Sequence, residues 1–418
     1  MKPLNFQQAV EKLREKGMLE VVSEERSIGE IAEKIKDLKP ILFENTGTDY
    51  KVAANVCGKE LFEAYFDAPW KDIRAQFGKA AGSPGTVEAT DEFPFEETDD
   101  DFESLPIPMY YKGDGGKYIT AGVFVIEQDG VRNLSYHRTM IVDGKTAVVR
   151  LCKRHLWDAY EKNGNELDVA ICIGLDPALL SVASFSTKEP MDETEIAAGF
   201  YEQPLKMVKM SNGISVPRCA EIVILGKITK EQAKEGPFVD STGTMDGERQ
   251  QPVFKLEKVL RKKDAIFYAL VPGRGEHSFL MGVSKEPILF NEIAKVADIQ
   301  DISFADGGIE WMGAVVSIKK KSDADVKKVI ETAFATHKSL KHVWVFDEDI
   351  DLLNHMDREW AFTTRFQGDK DIYTYPGEPG SSLDPSSEPG DDRRNTCKVG
   401  FDCTIPMGKD KKDFEKVA

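Results

Sequence analysis

The sequence lacks several features that would place it in a familiar functional class. No apolar run approaches the roughly 18 residues that a membrane helix needs. The first stretch, MKPLNFQQAVEKLREKG, has no apolar signal-peptide core. Positive charge is also scarce, because 55 Lys and Arg stand against 72 Asp and Glu, which gives a formal net charge of −17. We therefore expect a cytoplasmic protein with no membrane or nucleic-acid partner, since both partners require a basic surface.

Paired cysteines and the common nucleotide and hydrolase motifs are absent as well. The chain has no Walker sequence, no G-x-G-x-x-G between strand and helix, no G-x-S-x-G and no HExxH. A conventional dehydrogenase, serine hydrolase or zinc protease is therefore unsupported. No C-x-x-C occurs, and several cysteines lie in apolar runs such as VAICIG, which favours reduced thiols over disulfides or a metal cluster. The six cysteines are Cys57, Cys152, Cys172, Cys219, Cys397 and Cys403.

The pattern of apolar and turn-forming residues changes along the chain. We predict two or three domains, since 418 residues are too many for a single hydrophobic core. The first forty residues have the periodicity of two amphipathic helices, and PILFEN and YKVAANV are predicted strands. An acidic stretch from Asp91 to Pro106 is predicted to be a solvated connector and a domain boundary. From there to about residue 283, many short strands with turn signals indicate a barrel or sandwich.

The last third of the chain has a different pattern. EWMGAVVSIK and KHVWVFDED are predicted strands, and SDADVKKVIETAFATH between them is a predicted helix capped by Ser322. A strand, a helix and a strand in this order imply some parallel sheet. The Pro/Gly/Ser-rich segment YPGEPGSSLDPSSEPGDDRR is predicted to be a mobile loop.

Three short stretches carry side chains that suit a metal–phosphate site. RNLSYHR ends in Arg138 and is expected at a hairpin exit, where it is either a polar edge strand or an anion site. KRHLWDAY places Arg154 and His155 at a helix start, which favours anions, although such a His often bonds to backbone. The third stretch, DETEIAAG, contains Glu195, although acidic residues in a first helical turn are usually structural. Asn133, His155 and Glu195 together offer amide oxygen, imidazole and carboxylate, a set suited to Mn²⁺ or Mg²⁺. Spacing alone does not establish that they converge.

The stretch KEGPFVD places Glu235 and Asp240 five residues apart across a Gly-Pro corner. They are either two ordinary loop charges or a pair directed at one reacting atom. The residues around them do not decide between these alternatives.

Taken together, these stretches resemble the UbiD family of decarboxylases, which use prenylated flavin mononucleotide. The resemblance runs nearly from end to end, and although each motif is weak, their order makes the assignment specific. It rests on LREKGMLEVV, IGEIAEKI, PILFEN, LPIPMYYKGDGGKYITAGV, RNLSYHR, RH, IGLDP, EIAAG, VPRCAEIVILG, KEGPFVD, DEDIDLL, WAFTTR and KVGFDCT. It implies a mixed α/β (α+β) fold with an N-terminal α/β domain (1–105), a central split β-barrel flavin-binding domain (106–283) and a C-terminal α/β oligomerisation domain (284–418).

The resemblance also implies which residues hold the cofactor. Asn133, His155 and Glu195 match the residues that hold a divalent metal, usually Mn²⁺, against the cofactor phosphate, with K⁺ sharing the glutamate. Lys338 is the predicted phosphate-contacting lysine, although a short gap leaves Lys341 as an alternative. The full set of predicted cofactor contacts is Asn133, Ser135, Tyr136, Arg138, Arg154, His155, Glu195 and Lys338.

Arg138, Glu235 and Asp240 match the family's catalytic Arg–carboxylate–carboxylate network. After CO₂ leaves, the substrate carbon needs a proton, and we expect Asp240 to donate it while Glu235 holds Arg138. Many members have Glu at the position of Asp240. The sequence also departs from the cinnamate-type enzymes at Arg154, where they have Gln, and at His277, where they have Thr. The predicted substrate contacts are Tyr136, Arg154, His277 and Met281.

The function implied by the resemblance is a reversible, non-oxidative decarboxylation of an aromatic, heteroaromatic or α,β-unsaturated acid through a covalent flavin adduct. If Arg154 faces the substrate, its charge favours a second anionic group, as in a furan-type dicarboxylate or anhydromevalonate phosphate. Contact between Arg154 and the cofactor phosphate is an equal alternative. The carboxylase direction and a cofactor-binding subunit of a larger carboxylase stay open, and a plain FMN oxidoreductase is disfavoured. A flavin prenyltransferase must supply the cofactor, and a homo-oligomer (dimer or hexamer) is expected.

Overall fold

The computed structural model describes residues 1–185, 191–273, 275–304, 311–388 and 394–416. Their contacts divide the chain into two compact units, Met1–Leu280 and Met281–Ala418. This division lies close to the boundary predicted at residue 283, whereas a further division at residue 105 stays a prediction. Among the described residues, none of the helices has both the length and the apolar character that crossing a membrane requires.

The first unit combines short helices with many antiparallel strands. Its helices are α1 Phe6–Glu15, α2 Ile28–Lys34, α3 Lys59–Phe66, α4 Trp70–Gly82, α5 His155–Lys162, α6 Pro177–Val182 and α7 Glu193–Tyr201; α8 Glu276–Val283 follows at its end. Its strands are β1 Glu20–Val22, β2 Ile41–Phe43, β3 Lys51–Ala54, β4 Val87–Ala89, β5 Glu96–Thr98, β6 Tyr118–Ile119, β7 Val123–Gln128, β8 Val131–Tyr136, β9 Thr139–Ile141, β10 Thr146–Val149, β11 Leu167–Ile173, β12 Leu205–Lys209, β13 Ser215–Pro217, β14 Ile222–Glu235, β15 Phe238–Val239, β16 Met245–Asp246, β17 Arg249–Arg261 and β18 Ile266–Tyr268.

The two predicted N-terminal helices are confirmed, and both start at a capping box. Asn5 accepts from the backbone of Gln8, whose side chain accepts from the Asn5 backbone N–H, and Ser27 and Glu30 form the same motif before α2. The apolar residues of α1 are buried on one face. The strands that follow pair in the order β1-β2-β3-β18, so residues 266–268 complete a sheet begun near the N-terminus.

The largest sheet has nine strands, and it contains most of the chemistry-bearing stretches. Its order is β6-β9-β10-β17-β14-β11-β7-β8, and β5 pairs with β17 beside this path. The expected position of RNLSYHR is confirmed, because β7 and β8 form an antiparallel hairpin and Arg138 is the second residue after β8. Strands with period two place alternate side chains on opposite faces, so Asn133 and Ser135 share one face of β8 while Leu134 and Tyr136 share the other.

An arm of thirteen residues, 236–248, extends from this sheet. Strands β14 and β17 are paired from Ile222 and Arg261 to Glu235 and Arg249, where the ladder ends. Beyond that point the chain forms a small hairpin in which β15 pairs with β16, and Phe238 lies opposite Asp246. The arm therefore starts and ends at one pair of cross-strand neighbours.

The acidic stretch 91–106 is more ordered than predicted. Glu96–Thr98 forms β5 and pairs with residues 259–261 of β17. Phe95, Phe102 and Leu105 are buried. These apolar side chains anchor the segment, and the prediction of a solvated connector was wrong here because the count of acidic residues concealed them.

The second unit is a five-stranded mixed sheet covered by helices. Its helices are α9 Glu286–Ile293, α10 Asp323–Thr336 and α11 His355–Arg365, and its strands are β19 Ile299–Phe304, β20 Gly313–Ile318, β21 His342–Asp347, β22 Ile372–Pro379 and β23 Asn395–Cys403. The strand order is β19-β20-β21-β23-β22. The predicted β-α-β unit is confirmed, since β20 and β21 are parallel and α10 connects them. Its core packs α9 and α10 against the sheet.

The segment predicted as a mobile Pro/Gly/Ser-rich loop is partly a strand. Its first residues belong to β22, which continues to Pro379 and pairs with β23. Residues 389–393 of the predicted loop lie outside the described residues.

Candidate active site

Arg138 and Glu235 form a buried bidentate ion pair. The Arg138 Nε donates to Glu235 Oε1 and its Nη2 donates to Oε2, each at 2.9 Å. The Glu235 side chain is fully buried and that of Arg138 is 8% exposed. Tyr118 donates its hydroxyl to Glu235 Oε1 at 3.1 Å. Both oxygens of the carboxylate therefore accept hydrogen bonds from one guanidinium. This bidentate arrangement is the strongest common geometry for an arginine–carboxylate pair.

Asp240 reaches the same guanidinium from the arm. Arg138 Nη1 donates to Asp240 Oδ2 at 2.7 Å, and the Ser241 backbone N–H donates to Oδ1 at 2.6 Å. The backbone N–H of Gly243 donates to the Asp240 carbonyl at 2.8 Å, which closes a turn at the tip of the arm. The side chain of Asp240 is 18% exposed, more than that of Glu235. The two carboxylates of KEGPFVD therefore converge on one arginine.

A third carboxylate, Asp246, completes the network. Its Oδ2 accepts from Arg138 Nη2 at 2.8 Å. Arg249 donates to both of its oxygens, at 2.6 and 2.5 Å. Sequence reasoning missed this pair because MDGER is typical of an ordinary turn. The Asp-x-x-Arg spacing was a signal for the pairing of Asp246 with Arg249 but not for the contact of Asp246 with Arg138.

The residues around Arg138 stabilise its charged form. Burial by itself lowers the pKa of Arg138, but Glu235, Asp240 and Asp246 outweigh burial and raise it. The guanidinium lies over the ring of Phe238, with its carbon 4.6 Å from the ring centroid. Arg138 is thus a permanent cation surrounded by anions and aromatic carbon.

The glycine-rich stretch GDGGKYITAG contacts the backbone of the arm. The Gly115 backbone N–H donates to the Pro237 carbonyl at 2.7 Å. A Cβ at position 115 would come 2.3 Å from the Gly236 carbonyl oxygen, so only glycine permits this approach. The Val239 backbone N–H donates to Asp114 Oδ1 at 3.2 Å. Gly236 has φ +91° and a cis peptide bond to Pro237. The stretch positions the arm through backbone contacts.

His277 lies at the start of α8, and its charge state is affected by the same groups. The Gly273 backbone N–H donates to His277 Nδ1 at 3.0 Å, so the neutral ring carries its proton on Nε2. Burial lowers the pKa of His277, Asp240 opposes this change and Arg138 adds to it. His277 is therefore a neutral donor beside the Arg138 network at ordinary pH.

The three predicted metal ligands lie on elements that pack together. Asn133 belongs to β8, His155 begins α5 and Glu195 lies in the first turn of α7, and both helices contact β8. Asn133 is buried, and its amide nitrogen donates to Glu193 Oε1 at 3.1 Å. The Leu134 backbone N–H donates to the other Glu193 oxygen at 2.7 Å. Glu193 thereby orients the amide, and Asn133 Oδ1, which accepts from Ser135 Oγ at 3.3 Å, keeps a second lone pair for another partner.

The donor chemistry of this set fits a hard divalent cation. Among the described residues, neither His155 nor Glu195 has a side-chain hydrogen bond. Burial and Asp192 raise the pKa of Glu195, while Arg132 opposes them. The described part of the chain contains no cluster of three His, Cys, Asp or Glu side chains with metal-site geometry, so a site here depends on the amide oxygen of Asn133. Sequence reasoning missed Glu193, whose pKa burial raises to about 8, because acidic residues in a first helical turn are common.

The remaining predicted contacts of β8 point in different directions. Ser135 Oγ lies 3.0 Å from His137 Nε2 and 3.3 Å from Asn133 Oδ1, on the metal-ligand face. Tyr136 lies on the opposite face and donates its hydroxyl to the Leu180 carbonyl at 2.9 Å.

Arg154 caps α5 and is exposed. Burial lowers the pKa of His137 to about 4, and the charge of Arg154 adds to this effect.

Lys338 and Met281 belong to the second unit. Lys338 is exposed, and its carbonyl accepts from Lys398 Nζ at 2.9 Å. The alternative, Lys341, is engaged in an ion pair with Asp384 at 2.8 Å. Lys338 stays the predicted phosphate contact. Met281 is half-buried in α8.

Comparison with known proteins identifies the family. Residues 85–275 match the family model for the 3-octaprenyl-4-hydroxybenzoate carboxy-lyase Rift-related domain, and residues 278–403 match that for the carboxy-lyase C-terminal domain. Anhydromevalonate phosphate decarboxylase of Methanocaldococcus jannaschii is 39% identical over 392 residues, which cover 91% of this chain and 92% of that protein. The chain belongs to the UbiD family. The enzyme of the same name from Methanosarcina mazei is 36% identical to this UbiD protein and covers 99% of each chain.

Solved structures agree with this assignment. The UbiD-class enzyme HmfF from Pelotomaculum thermopropionicum in complex with FMN has a TM-score of 0.93 at 30% identity, over 99% of this chain and 97% of that chain. An evolved dimeric form of HmfF in complex with prFMN has a TM-score of 0.88 at 28% identity, over 99% of each chain. The predicted family, the mixed α/β fold class and the carboxy-lyase activity are confirmed. Both complexes support a flavin cofactor for this UbiD protein.

Proposed function

We propose that this UbiD protein decarboxylates a phosphorylated α,β-unsaturated acid of the anhydromevalonate phosphate type, with prenylated FMN as cofactor. Five curated relatives carry the name anhydromevalonate phosphate decarboxylase, at 34 to 42% identity. The observation that carries the chemistry is the convergence of Glu235 and Asp240 on Arg138. A binding subunit without activity would not need a proton donor held in this way.

The chain's own part in the reaction is positioning and proton transfer. When bound, prenylated FMN supplies an electron sink for the pair left behind as CO₂ departs. Arg138, fixed by Glu235, orients the acid and keeps Asp240 in place. The bond between the carboxyl carbon and its neighbour breaks, and the electron pair finally forms a C–H bond with a proton from Asp240. Solvent then restores that proton, since Asp240 is the more exposed of the two carboxyls.

The shorter side chain of Asp240 requires the arm to hold it near the substrate. Its Oδ2 is bound by Arg138 and its Oδ1 by the Ser241 N–H, so the carboxyl has one defined orientation. Gly115 and Asp114 support the backbone directly before it. With this rigid support, the Asp240 carboxyl reaches the substrate although aspartate lacks the extra methylene of glutamate.

Arg154 is the proposed contact for the phosphate of the substrate. It is exposed at the N-terminus of α5, where a helix offers unpaired N–H groups and a partial positive charge. A phosphate accepts a fork of two donors from a guanidinium. The cofactor phosphate has other cations in this proposal, namely the divalent metal and Lys338.

The proposed metal is Mn²⁺ or Mg²⁺ on Asn133, His155 and Glu195, with K⁺ beside the glutamate. Support comes from the mixed oxygen and nitrogen donors and from Glu193, which holds the amide nitrogen of Asn133 so that its oxygen is the atom available to a metal. A separate flavin prenyltransferase supplies the cofactor in this proposal. The protein works in the cytoplasm as a homo-oligomer, either a dimer or a hexamer.

The proposal is tested by anaerobic co-expression with a flavin prenyltransferase, followed by a CO₂-release assay. The panel contains anhydromevalonate phosphate, its dephosphorylated counterpart, a furan dicarboxylate and aromatic mono-acids. We expect turnover of the phosphorylated acid and at least tenfold lower kcat/KM without the phosphate. Turnover of mono-acids alone would overturn the substrate assignment. Protein loaded with plain FMN is the control and is expected to be inactive.

A further inference from the structure

Asp246 and Arg249 form a pair that the proposed reaction does not use. Asp246 bridges two guanidiniums, because its Oδ2 accepts from Arg138 Nη2 at 2.8 Å and from Arg249 Nη1 at 2.6 Å. The side chain of Asp246 is 16% exposed and that of Arg249 is 30% exposed. The pair is therefore shielded from solvent more than a surface ion pair, and its charges act on their neighbours with reduced screening.

The position of this pair couples it to the arm that carries Asp240. Arg249 is the cross-strand neighbour of Glu235 at the end of the β14–β17 ladder. Asp246 lies opposite Phe238 in the hairpin of the arm. Phe238 in turn precedes Asp240 by two residues. The pair therefore connects the base of the arm to its middle, and Arg138 contacts it directly.

The charges of the network leave one carboxyl in excess. The guanidiniums are those of Arg138 and Arg249, and the carboxyls are those of Glu235, Asp240 and Asp246. The network is neutral when one carboxyl carries a proton. Glu235 is held by two donors of Arg138, and Asp246 by Arg249 as well as Arg138. Asp240 accepts a single hydrogen bond from a guanidinium and is thus the carboxyl for which protonation disrupts the fewest charge-assisted hydrogen bonds.

Among the described residues, the other titratable groups close to Asp240 add no competing cation. His277 on α8 is held neutral by burial, which lowers its pKa. Tyr118 on β6 is also neutral, since burial and Glu235 raise its pKa. Asp114 contacts the backbone next to Asp240, and burial raises its pKa too. Changes in charge at Asp246 or Arg249 are therefore expected to act on Asp240 mainly through Arg138.

We propose that Asp246 and Arg249 are positioning residues that set the pH range over which Asp240 carries its proton. Asp246 offsets part of the positive charge of Arg138, which favours the protonated form of Asp240. Arg249 limits this effect and fixes the geometry of Asp246. The inference rests on the proposed function, in which Asp240 is the acid.

The test is the pH dependence of kcat in two single variants and the double variant. Asp246→Asn removes a negative charge, so Arg138 attracts the Asp240 carboxylate more strongly and the alkaline limb of kcat moves to lower pH. Arg249→Gln removes a positive charge and moves the limb to higher pH. Each shift is expected to be about 0.5–1 pH unit for partly screened charges at this range. The double variant restores the net charge and is expected to return towards the wild-type profile.

A matched control removes a carboxylate from the same arm. Glu248 precedes Arg249 and pairs with Lys234 at 2.6 Å, with both side chains about half exposed. Glu248→Gln is therefore expected to leave the profile unchanged, because solvent screens this pair. A purely structural role of Asp246 and Arg249 lowers activity in both variants without opposite shifts, and that outcome would overturn the inference.

A second readout does not depend on turnover. In flavin-loaded protein with ¹³C-labelled aspartate carboxyls, the Asp240 signal is assigned by its absence in Asp240→Asn. Its titration midpoint is expected to fall in Asp246→Asn and to rise in Arg249→Gln. Opposite shifts without any substrate turnover would support the coupling and count against the proposed function. Shifts of one sign, or none, would overturn the inference whatever the turnover.

Discussion

Glu235 binds two sides of the Arg138 guanidinium, with Oε1 2.9 Å from Nε and Oε2 2.9 Å from Nη2. This geometry leaves Nη1 for Asp240 and directs the arginine towards the arm. The central arginine of the site is thus fixed by a carboxylate that solvent does not reach.

The buried pair predicts a stability cost for Glu235→Gln. The amide keeps the shape of the side chain but places an N–H group against the guanidinium, which leaves a buried cation with fewer anions. We expect a loss of about 2–4 kcal/mol in the free energy of unfolding, measured by urea denaturation. Glu231→Gln on the same strand is the control, since Glu231 forms an exposed pair with Lys255 and is expected to change little. Equal stability of the two variants would contradict the prediction.

Metal binding predicts a difference between two histidines in equivalent helical positions. His155 begins α5 and His355 begins α11. His155→Ala is expected to lower the Mn²⁺ content of purified protein by at least about tenfold, while His355→Ala keeps it. Inductively coupled plasma mass spectrometry measures both. Full metal content in His155→Ala would show that the ligand assignment is wrong.

Glu276 predicts a pH dependence of stability in the first unit. Its carboxylate accepts from the backbone N–H groups of Asn55, Val56 and Cys57 at 2.6 to 2.9 Å. Burial outweighs these hydrogen bonds and raises the pKa of Glu276 from 4.5 to about 7. The folded protein therefore binds the proton more tightly than the unfolded chain, and stability falls as pH rises from about 4.5 to about 7.

The size of this effect is about 3 kcal/mol across that range, with no further loss above it. The measurement compares the free energy of unfolding of wild type and Glu276→Gln between pH 5 and pH 8. We expect the variant to lack this slope, whatever its absolute stability. Parallel curves for the two proteins would mean that Glu276 titrates near its ordinary value.

Arg154 predicts a separation of KM from kcat. Arg154→Gln is expected to raise KM for the phosphorylated acid by about 10–100-fold, the loss of one charge-assisted contact, with kcat nearly unchanged. Lys153→Gln, which removes the neighbouring exposed cation, is the control and is expected to have little effect. Loss of bound flavin in Arg154→Gln with an unchanged KM would instead assign Arg154 to the cofactor phosphate.

Local patterns in the sequence predicted much of the fold. The helices α1 and α2 follow from apolar periodicity and caps, and the β-α-β unit around α10 follows from the change of period. The path of the nine-stranded sheet does not follow from local pattern, because it joins residues far apart in the chain. The burial of Phe95 and Phe102 was hidden by the many acidic residues around them in the sequence.

The site was predicted through motifs, and its supporting residues were not. Arg138, Glu235 and Asp240 were identified together, and the structure brings them together. Asp246 was missed because its partner is set by the register of the arm, and nothing in MDGER indicates that register. Gly115 likewise has a role only because the chain at Gly236 approaches it in space.

The most direct test of the account is the activity of Asp240→Asn loaded with prenylated flavin. Asparagine keeps the shape of the side chain and its contact with Arg138 but has no carboxyl proton to donate. We expect CO₂ release from the phosphorylated acid to fall by roughly 10²–10⁴-fold, with flavin content and absorbance spectrum equal to wild type. Wild-type turnover by a fully loaded Asp240→Asn protein would contradict the role of Asp240 as the proton donor.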